Sequence, residues 1–306
     1  MLVAGVALDL LLGEPSRWHP LVGFGRFASL IEARLNSGNG LLLRGVLAWL
    51  VVIAPLSALA YYLTHCFTNF WLTAVVNTAL LYVCIGLRSL RDHTLPISRA
   101  LVQGDLSLAR RLTARIVSRD TSSASASDLA KASTESLLEN GNDAVFATLF
   151  WFMVGGATGA VLYRLANTLD AMWGYRTSRF NFFGRAAARI DDVMNWIPAR
   201  LTALSYVLLA EPRAAKLQAW RCWMEQAPTW SSPNAGPVMS SGAAALGLAL
   251  GGDAIYDGIL ELRPILGAGR APQSGDILRA WHLVRAVAAL WIVVALLLGF
   301  FMQGRA

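Results

Sequence analysis

The amino-acid sequence predicts an all-α, polytopic integral membrane protein in which spanning helices accompany a cytosolic, helical, arginine-rich region. Three observations carry this expectation. Of 306 residues, 56% are hydrophobic and only 15% charged, and with a mean hydropathy of +0.49 that balance suits a bilayer better than bulk water. Uncharged runs at Gly45–Leu63, Phe70–Leu87 and Ala286–Met302 each have about the length that a spanning helix needs. The formal charge of +7 comes almost wholly from arginine, Lys131 and Lys216 being the only lysines, and the 11 tryptophans fit membrane–water interfaces. No Lys/Arg run accompanies this charge, so nucleic acid is not expected as a partner.

Residues 1–87 read as an N-terminal membrane region. Residues 1–12 are apolar but too short to span, and they lack the basic start of a cleaved signal peptide. Gly13-Glu14-Pro15 and Trp18-His19-Pro20 then interrupt regular structure; His19 reads either as part of a polar site or as a helix cap. Gly45–Leu63, kinked at Pro55, and Phe70–Leu87 form a helical hairpin across the short Thr64–Asn69 connection. Arg44 before it and Arg88, Arg91 and Arg99 after it put both outer ends in the cytosol.

Residues 88–143 read as cytosolic amphipathic helices. Leu101, Leu108, Leu112 and Ile116 keep helical spacing while Arg110, Arg111 and Arg115 lie on other faces. Arg119-Asp120-Thr121 leads into a Ser/Ala-rich segment that is either a flexible linker or the donor set of an anion-binding loop. The following helix, 128–143, carries Glu135, Glu139 and Asp143 at successive i+4 positions. Like charges at that spacing repel, so either magnesium or arginines of the stretch Tyr163–Leu204 are expected opposite them, or the three form a solvated acidic stripe.

Residues 144–252 read as central re-entrant or buried helices holding the functional site. Ala144–Tyr163 is uncharged, but Gly155, Gly156 and Gly159 interrupt it. A simple crossing there would also leave the arginines that follow outside the cytosol, so a re-entrant or protein-buried hairpin, or a return crossing, is expected. Tyr163–Leu204 then sets Arg164, Asn167, Asp170, Arg176, Arg179, Arg185, Arg189, Asp191, Asp192, Asn195 and Arg200 between apolar segments, a costly placement that points to function. Helical spacing gives Tyr163, Asn167 and Asp170 one face, and Asp191 and Asn195 another. The alternative is a cytosolic hairpin of solvated ion pairs, although Trp173, Trp196, Phe180, Phe182 and Phe183 make a poor solvated face.

Trp230–Gly236, WSSPNAG, is a turn whose Ser, Asn and backbone amides suit phosphate or carboxamide ligands, or else simply a tight loop. The small-residue run Gly236–Gly252 favours close helix packing. Residues 253–306 read as a C-terminal loop followed by the last membrane helix. Cys66, Cys84 and Cys222 are odd in number and lack C-x-x-C spacing, so neither a disulfide framework nor a zinc site is expected. The phosphate-loop, zincin and α/β-hydrolase motifs are absent from the sequence.

In this order the chain resembles the CobD/CbiB family of cobalamin biosynthesis, the adenosylcobinamide-phosphate synthases. The matching pieces are Gly13-Glu14-Pro15 with His19-Pro20, Arg119-Asp120-Thr121, and Glu135-Ser136-Leu137 with Glu139-Asn140 and Asp143. They continue with Tyr163-Arg164, Asn167 to Met172, Gly174-Tyr175, Phe183-Gly184, Ala187-Ala188-Arg189, Asp191-Asp192, Asn195, Ile197 to Ala203, and Ser232 to Gly236. Ala144 and Thr148 stand where the family has Gly and Pro, Ala124 where it has Leu, and Pro237 is displaced by one residue; these are packing and turn positions.

The resemblance implies a multi-pass enzyme of the bacterial inner membrane whose active site faces the cytosol. It would join adenosylcobyric acid, through a propionate carboxylate, to (R)-1-amino-2-propanol or its O-phosphate, with ATP and Mg2+ as cofactors. On that basis Glu135, Glu139, Asp143, Asp191 and Asp192 are the expected catalytic acids, with Glu139, Asp143 and Asp192 as magnesium ligands. Arg119, Arg176, Arg189 and Arg200 are expected to bind phosphate, and His19, Asp120, Asn167, Asp170, Asn195, Ser232 and Asn234 to contact substrate or nucleotide. The lipid bilayer is an expected partner, and association with other membrane enzymes of cobalamin assembly is compatible with it. A corrinoid transporter and a non-catalytic, AmpE-like membrane sensor are the rival readings, because buried charge and broken helices also suit transport.

Overall fold

The computed structural model describes residues 1–14, 19–256 and 258–303, the side chains of Met302 and Gln303 excepted. Pro15 and Trp18 of the first motif lie outside the described residues. The fold is predominantly helical, with α1 (Leu2–Leu12), α2 (Pro20–Leu35), α3 (Leu41–His65), α4 (Phe70–Cys84), α5 (Leu87–Val102), α6 (Leu106–Thr113) and α7 (Ala126–Gly141) leading into a π-helical turn at Asn142–Phe146. Then come α8 (Ala147–Trp173), α9 (Arg185–Leu209), α10 (Arg213–Gln226), α11 (Ala235–Ala245) and α12 (Ser274–Gln303), with four short strands before α12. Among the described residues, four segments are long and apolar enough to cross a bilayer: Leu41–His65, Phe70–Val102, Ala126–Trp173 and Ser274–Phe301. The chain is thus an all-α, polytopic membrane protein in its main architecture.

Its residues group into two compact units, Met1–Arg88 with Asp143–Asn195, and Ser89–Asn142 with Trp196–Ala306. In the first unit α3 and α4 pack on α8, α1 packs on α4, and α2 on α3. Phe24, Val52, Ile53, Leu169, Trp173 and Phe183 fill its core, with the Trp173 and Phe183 rings edge to face at 5.2 Å. Gly45 has to be glycine, since a Cβ on it would run into the carbonyl oxygen of Phe183.

The chain doubles back within α8. Gly155 (φ −127°, ψ 19°) and Gly156 (φ 61°, ψ −157°) leave helical geometry, and the position of a Cβ on Gly159 falls against the carbonyl of Trp151. Tyr163 Oη donates to the carbonyl of Asp143 at 3.0 Å across 20 residues, a separation of about 30 Å in an unbroken helix. Residues 147–154 and 157–173 therefore lie antiparallel. Asn77, buried in the middle of apolar α4, accepts from the amide of Ala157 at 3.3 Å and so caps the second arm at its exposed backbone donors.

In the second unit α7 packs on α12 and α11, and α10 on α11. A capping box starts α7: Ser125 accepts from the Asp128 amide while the Asp128 side chain accepts from Ser125. The Ser/Ala-rich segment thus starts this helix, a role that neither reading of its sequence had named. Strands β1 (Ala249–Gly251) and β4 (Ile265–Gly267) pair antiparallel with Ala249 opposite Gly267, and between them β2 (Ala254–Tyr256) pairs with β3 (Ile259–Glu261). This β-ribbon occupies a stretch expected to be loop, since strands of three residues are too short to show alternation. Gly251 sits at φ +69°, and any Cβ there would meet the Pro264 carbonyl.

Candidate active site

The second unit holds a buried ionic cluster built on α7. Glu135 lies on the buried face of that helix, its side chain 4% exposed. Its Oε1 accepts from the amide of Gly251 at 2.7 Å, and its Oε2 is ion-paired with Arg119 Nη2. Arg263 Nη2 comes within 3.7 Å of the same Oε2, inside ion-pair range but beyond a hydrogen bond. The remaining Arg263 donors are anchored on the ribbon, Nε to the Gly252 carbonyl at 3.0 Å and Nη1 to Tyr256 Oη at 3.0 Å. Its guanidinium also lies 5.3 Å from the Trp230 ring centre and 5.7 Å from that of Tyr256, close enough for cation–π attraction. Burial alone would lower the Arg119 pKa, but the adjacent Glu135 outweighs it and holds the guanidinium above its ordinary range.

Glu139, one turn beyond Glu135, feels the charges of Glu135, Arg119 and Arg263. Half-buried, its carboxylate has no hydrogen-bond partner among the described residues. Glu135 and Glu139 thus do face cations, but these are Arg119 and Arg263, neither of them among the arginines of the stretch 163–204 from which the sequence led one to expect them. Nothing local marks Arg263: it stands in a ribbon far along the chain from α7, and only the fold brings it there.

Arg200, Ser232 and Asn234 come together elsewhere in this unit, as a brace. Arg200 Nη1 donates to the Trp196 carbonyl at 2.9 Å and to Asn234 Oδ1 at 3.1 Å, and Nη2 donates to the Pro233 carbonyl at 3.2 Å. Ser232 Oγ accepts from the amides of Asn234 and Ala235 in the turn that enters α11. Asp120 is exposed; its Oδ1 accepts from the Ser122 amide at 2.8 Å, which holds its pKa below the ordinary range.

In the first unit the polar residues of α8 and α9 form a network of a different kind. Asp191 is buried and accepts from Asn167 Nδ2 at 3.2 Å and from Asn195 Nδ2 at 3.0 Å. Asn195 Oδ1 in turn accepts from Tyr163 Oη at 3.0 Å. Burial, only partly offset by these two amides, pushes the Asp191 carboxyl up to about 6. Asp192 is half-buried, 3.5 Å from exposed Arg189 and within the field of Arg176; burial raises its pKa as well. The Asp170 carbonyl accepts from the Gly174 amide at the end of α8. The backbone carbonyl of Asp143, in the π-helical turn, holds Tyr163, a residue whose part in this network its face position alone had hinted at. His19 caps α2, its Nδ1 accepting from the Leu21 amide at 3.2 Å, as one of its two readings anticipated.

No group of three or more His, Cys, Asp or Glu side chains among the described residues is arranged to hold a metal ion. The set Glu139, Asp143 and Asp192, expected as magnesium ligands, is therefore not a preformed cage there. Magnesium carried by a nucleotide keeps several waters and needs only one or two protein carboxylates; Glu139, with its oxygens free of hydrogen bonds, fits that smaller demand.

The family model described as CobD/Cbib protein matches residues 2–284. The chain belongs to the CobD/CbiB family. It is 54% identical over 300 residues to the "Cobalamin biosynthesis protein CobD" of Stutzerimonas stutzeri (strain A1501), covering 97% of each chain. The protein of that name from Chromobacterium violaceum is 53% identical over 94% of this chain and 93% of its own, and the one from Mycobacterium tuberculosis 37% identical over 96% and 93%. No solved structure matches the chain.

Proposed function

We propose that this chain is an ATP-dependent acid–amine ligase of cobalamin biosynthesis at the bacterial inner membrane, with its active site on the cytosolic side. Its substrates are adenosylcobyric acid, reacting through a propionate carboxylate, and (R)-1-amino-2-propanol or its O-phosphate; the product is adenosylcobinamide or its phosphate. Family membership and the name of the relatives support the pathway. The observation that carries the chemistry is the α7 cluster: a carboxylate free of hydrogen bonds, Glu139, beside guanidiniums that a buried glutamate holds in place.

A carboxylate is a poor electrophile. The substrate carboxylate oxygen attacks the terminal phosphorus of ATP and ADP leaves; the amine nitrogen then attacks the acyl carbon, a proton leaves the nitrogen, and phosphate departs. Arg119 stabilises the charge that builds on the phosphoryl oxygens. Magnesium supplies charge neutralisation on the phosphates, and Glu139 is the side chain suited to hold it. In the first unit, Asn167, Asp191 and Asn195 present amides and a carboxyl matched to neutral hydrogen-bonding groups such as corrin side-chain amides.

The test is mass spectrometry of the purified protein in detergent with adenosylcobyric acid, aminopropanol O-phosphate and Mg-ATP. Amide product and ADP in equal amounts are expected, and Arg119→Met should remove both. The broken helix α8 favours transport as a second reading; corrinoid uptake into vesicles without any product from the purified protein would establish that reading and overturn the first.

A further inference from the structure

We propose that Arg263, carried by the β-ribbon, binds a phosphoryl group together with Arg119. The Arg263 side chain is only 10% exposed, and its Nη2 has no hydrogen-bond partner. Arg119, 12% exposed, has an equally unpartnered buried Nε. A buried guanidinium donor without an acceptor is costly, and here two of them sit on arginines whose Nη2 atoms approach the same oxygen of Glu135. An anion with several acceptor oxygens would satisfy both at once, and phosphoryl oxygens suit a pair of guanidiniums.

The ribbon is built to aim this residue. Gly251 gives its amide to Glu135, the next residue, Gly252, gives its carbonyl to Arg263 Nε, and Tyr256 holds Nη1. Two donors are thereby fixed within the protein, and Nη2 is left turned towards the cluster. Glu135 and Glu139 balance Arg119 and Arg263 in formal charge, so a phosphate arriving beside Glu139 meets repulsion unless a divalent cation comes with it. Nucleotide phosphates arrive in that form; an amine O-phosphate brings its own ammonium group. The shared chemistry is a phosphoryl group, from either source.

This inference deepens the ligase reading, and its test is kept independent of turnover. Equilibrium binding to the full-length protein in detergent is measured for a non-hydrolysable ATP analogue with Mg2+, for aminopropanol O-phosphate and for unphosphorylated aminopropanol. Arg263→Met is expected to weaken one phosphorylated ligand about tenfold or more and to leave aminopropanol unchanged; Arg263→Lys recovers part of the loss, and the exposed Arg213→Met changes nothing. Loss confined to the ATP analogue assigns a nucleotide phosphate, and loss confined to the amine assigns its monoester. Unchanged affinity for both in a folded Arg263→Met protein overturns the proposal. If Arg263→Met unfolds, Tyr256→Phe decides: it keeps the charge and frees the guanidinium, so about threefold weaker phosphate binding is expected, and unchanged binding overturns the inference. Arg263-dependent binding without any amide product would retire the ligase reading and leave this one standing.

Discussion

The two units each bury an acid and compensate it by opposite means. Glu135 in the second unit is met by Arg119, Arg263 and a backbone amide; Asp191 in the first is met by two neutral amides and, among the described residues, by no cation within ion-pair distance. Coulomb attraction offsets the desolvation of the first acid. Amides offset less, which is why burial carries Asp191 up to about 6. The comparison separates two kinds of polar site: one with fixed charge, suited to anions, and one whose charge depends on pH near neutrality, suited to neutral or proton-exchanging partners.

The largest effect should come from breaking the fixed-charge side. Glu135→Ala leaves two buried guanidiniums without their shared partner, and stripping one member from a buried ionic group costs about 3–5 kcal/mol. Thermal unfolding in detergent should show a marked loss of stability, and the conservative Glu135→Gln only a partial recovery. A variant as stable as wild type would mean the cluster is solvated.

The titrating side predicts a pH effect of roughly 3 kcal/mol. The folded carboxyl holds its proton more tightly than the ordinary value of 3.8 allows. Its stability contribution is therefore complete below about pH 4 and is lost as pH rises through about 6. Asp191→Asn should flatten that part of the curve of melting temperature against pH, whereas Glu135→Gln should not. An unchanged slope in Asp191→Asn would assign the titration elsewhere.

Next in size is Gly156→Ala. A Cβ there would only touch Asn77 Oδ1 at 3.7 Å, but φ 61° with ψ −157° strains any L side chain by about 1–3 kcal/mol. Relief of that strain would pull Tyr163 away from Asp143 and loosen the amide network alone. The smallest effect is Tyr163→Phe, which deletes one shared hydroxyl and should cost about 1 kcal/mol while leaving phosphate binding untouched.

Much of this was readable in the sequence where the signal is local. Lack of charge over a helix length marked α3, α4 and the end of α12, and i+4 acids on α7 demanded cations. Glycines at 155, 156 and 159 marked a break in α8. What stayed hidden depends on contacts between distant residues. Gly251 sits in a strand too short for alternation to register, Arg263 in the link between two such strands, and their partner Glu135 is 116 residues from Gly251. Arg200 and Ser232 have the residue types of phosphate ligands, but only their partners show that they brace a turn.

The fold-back in α8 has a bearing on topology. A segment that turns round on itself contributes an even number of passages, so Asp143 and the chain beyond Trp173 need no additional crossing to share a compartment. Length and hydropathy count Ala126–Trp173 as one stave; counted as an odd pass, it would invert the side assigned to every later loop. The arginines at 176, 179, 185 and 189 can then obey the positive-inside tendency without a missing helix, and reporter tags near residues 142 and 178 should label from the same face of the membrane.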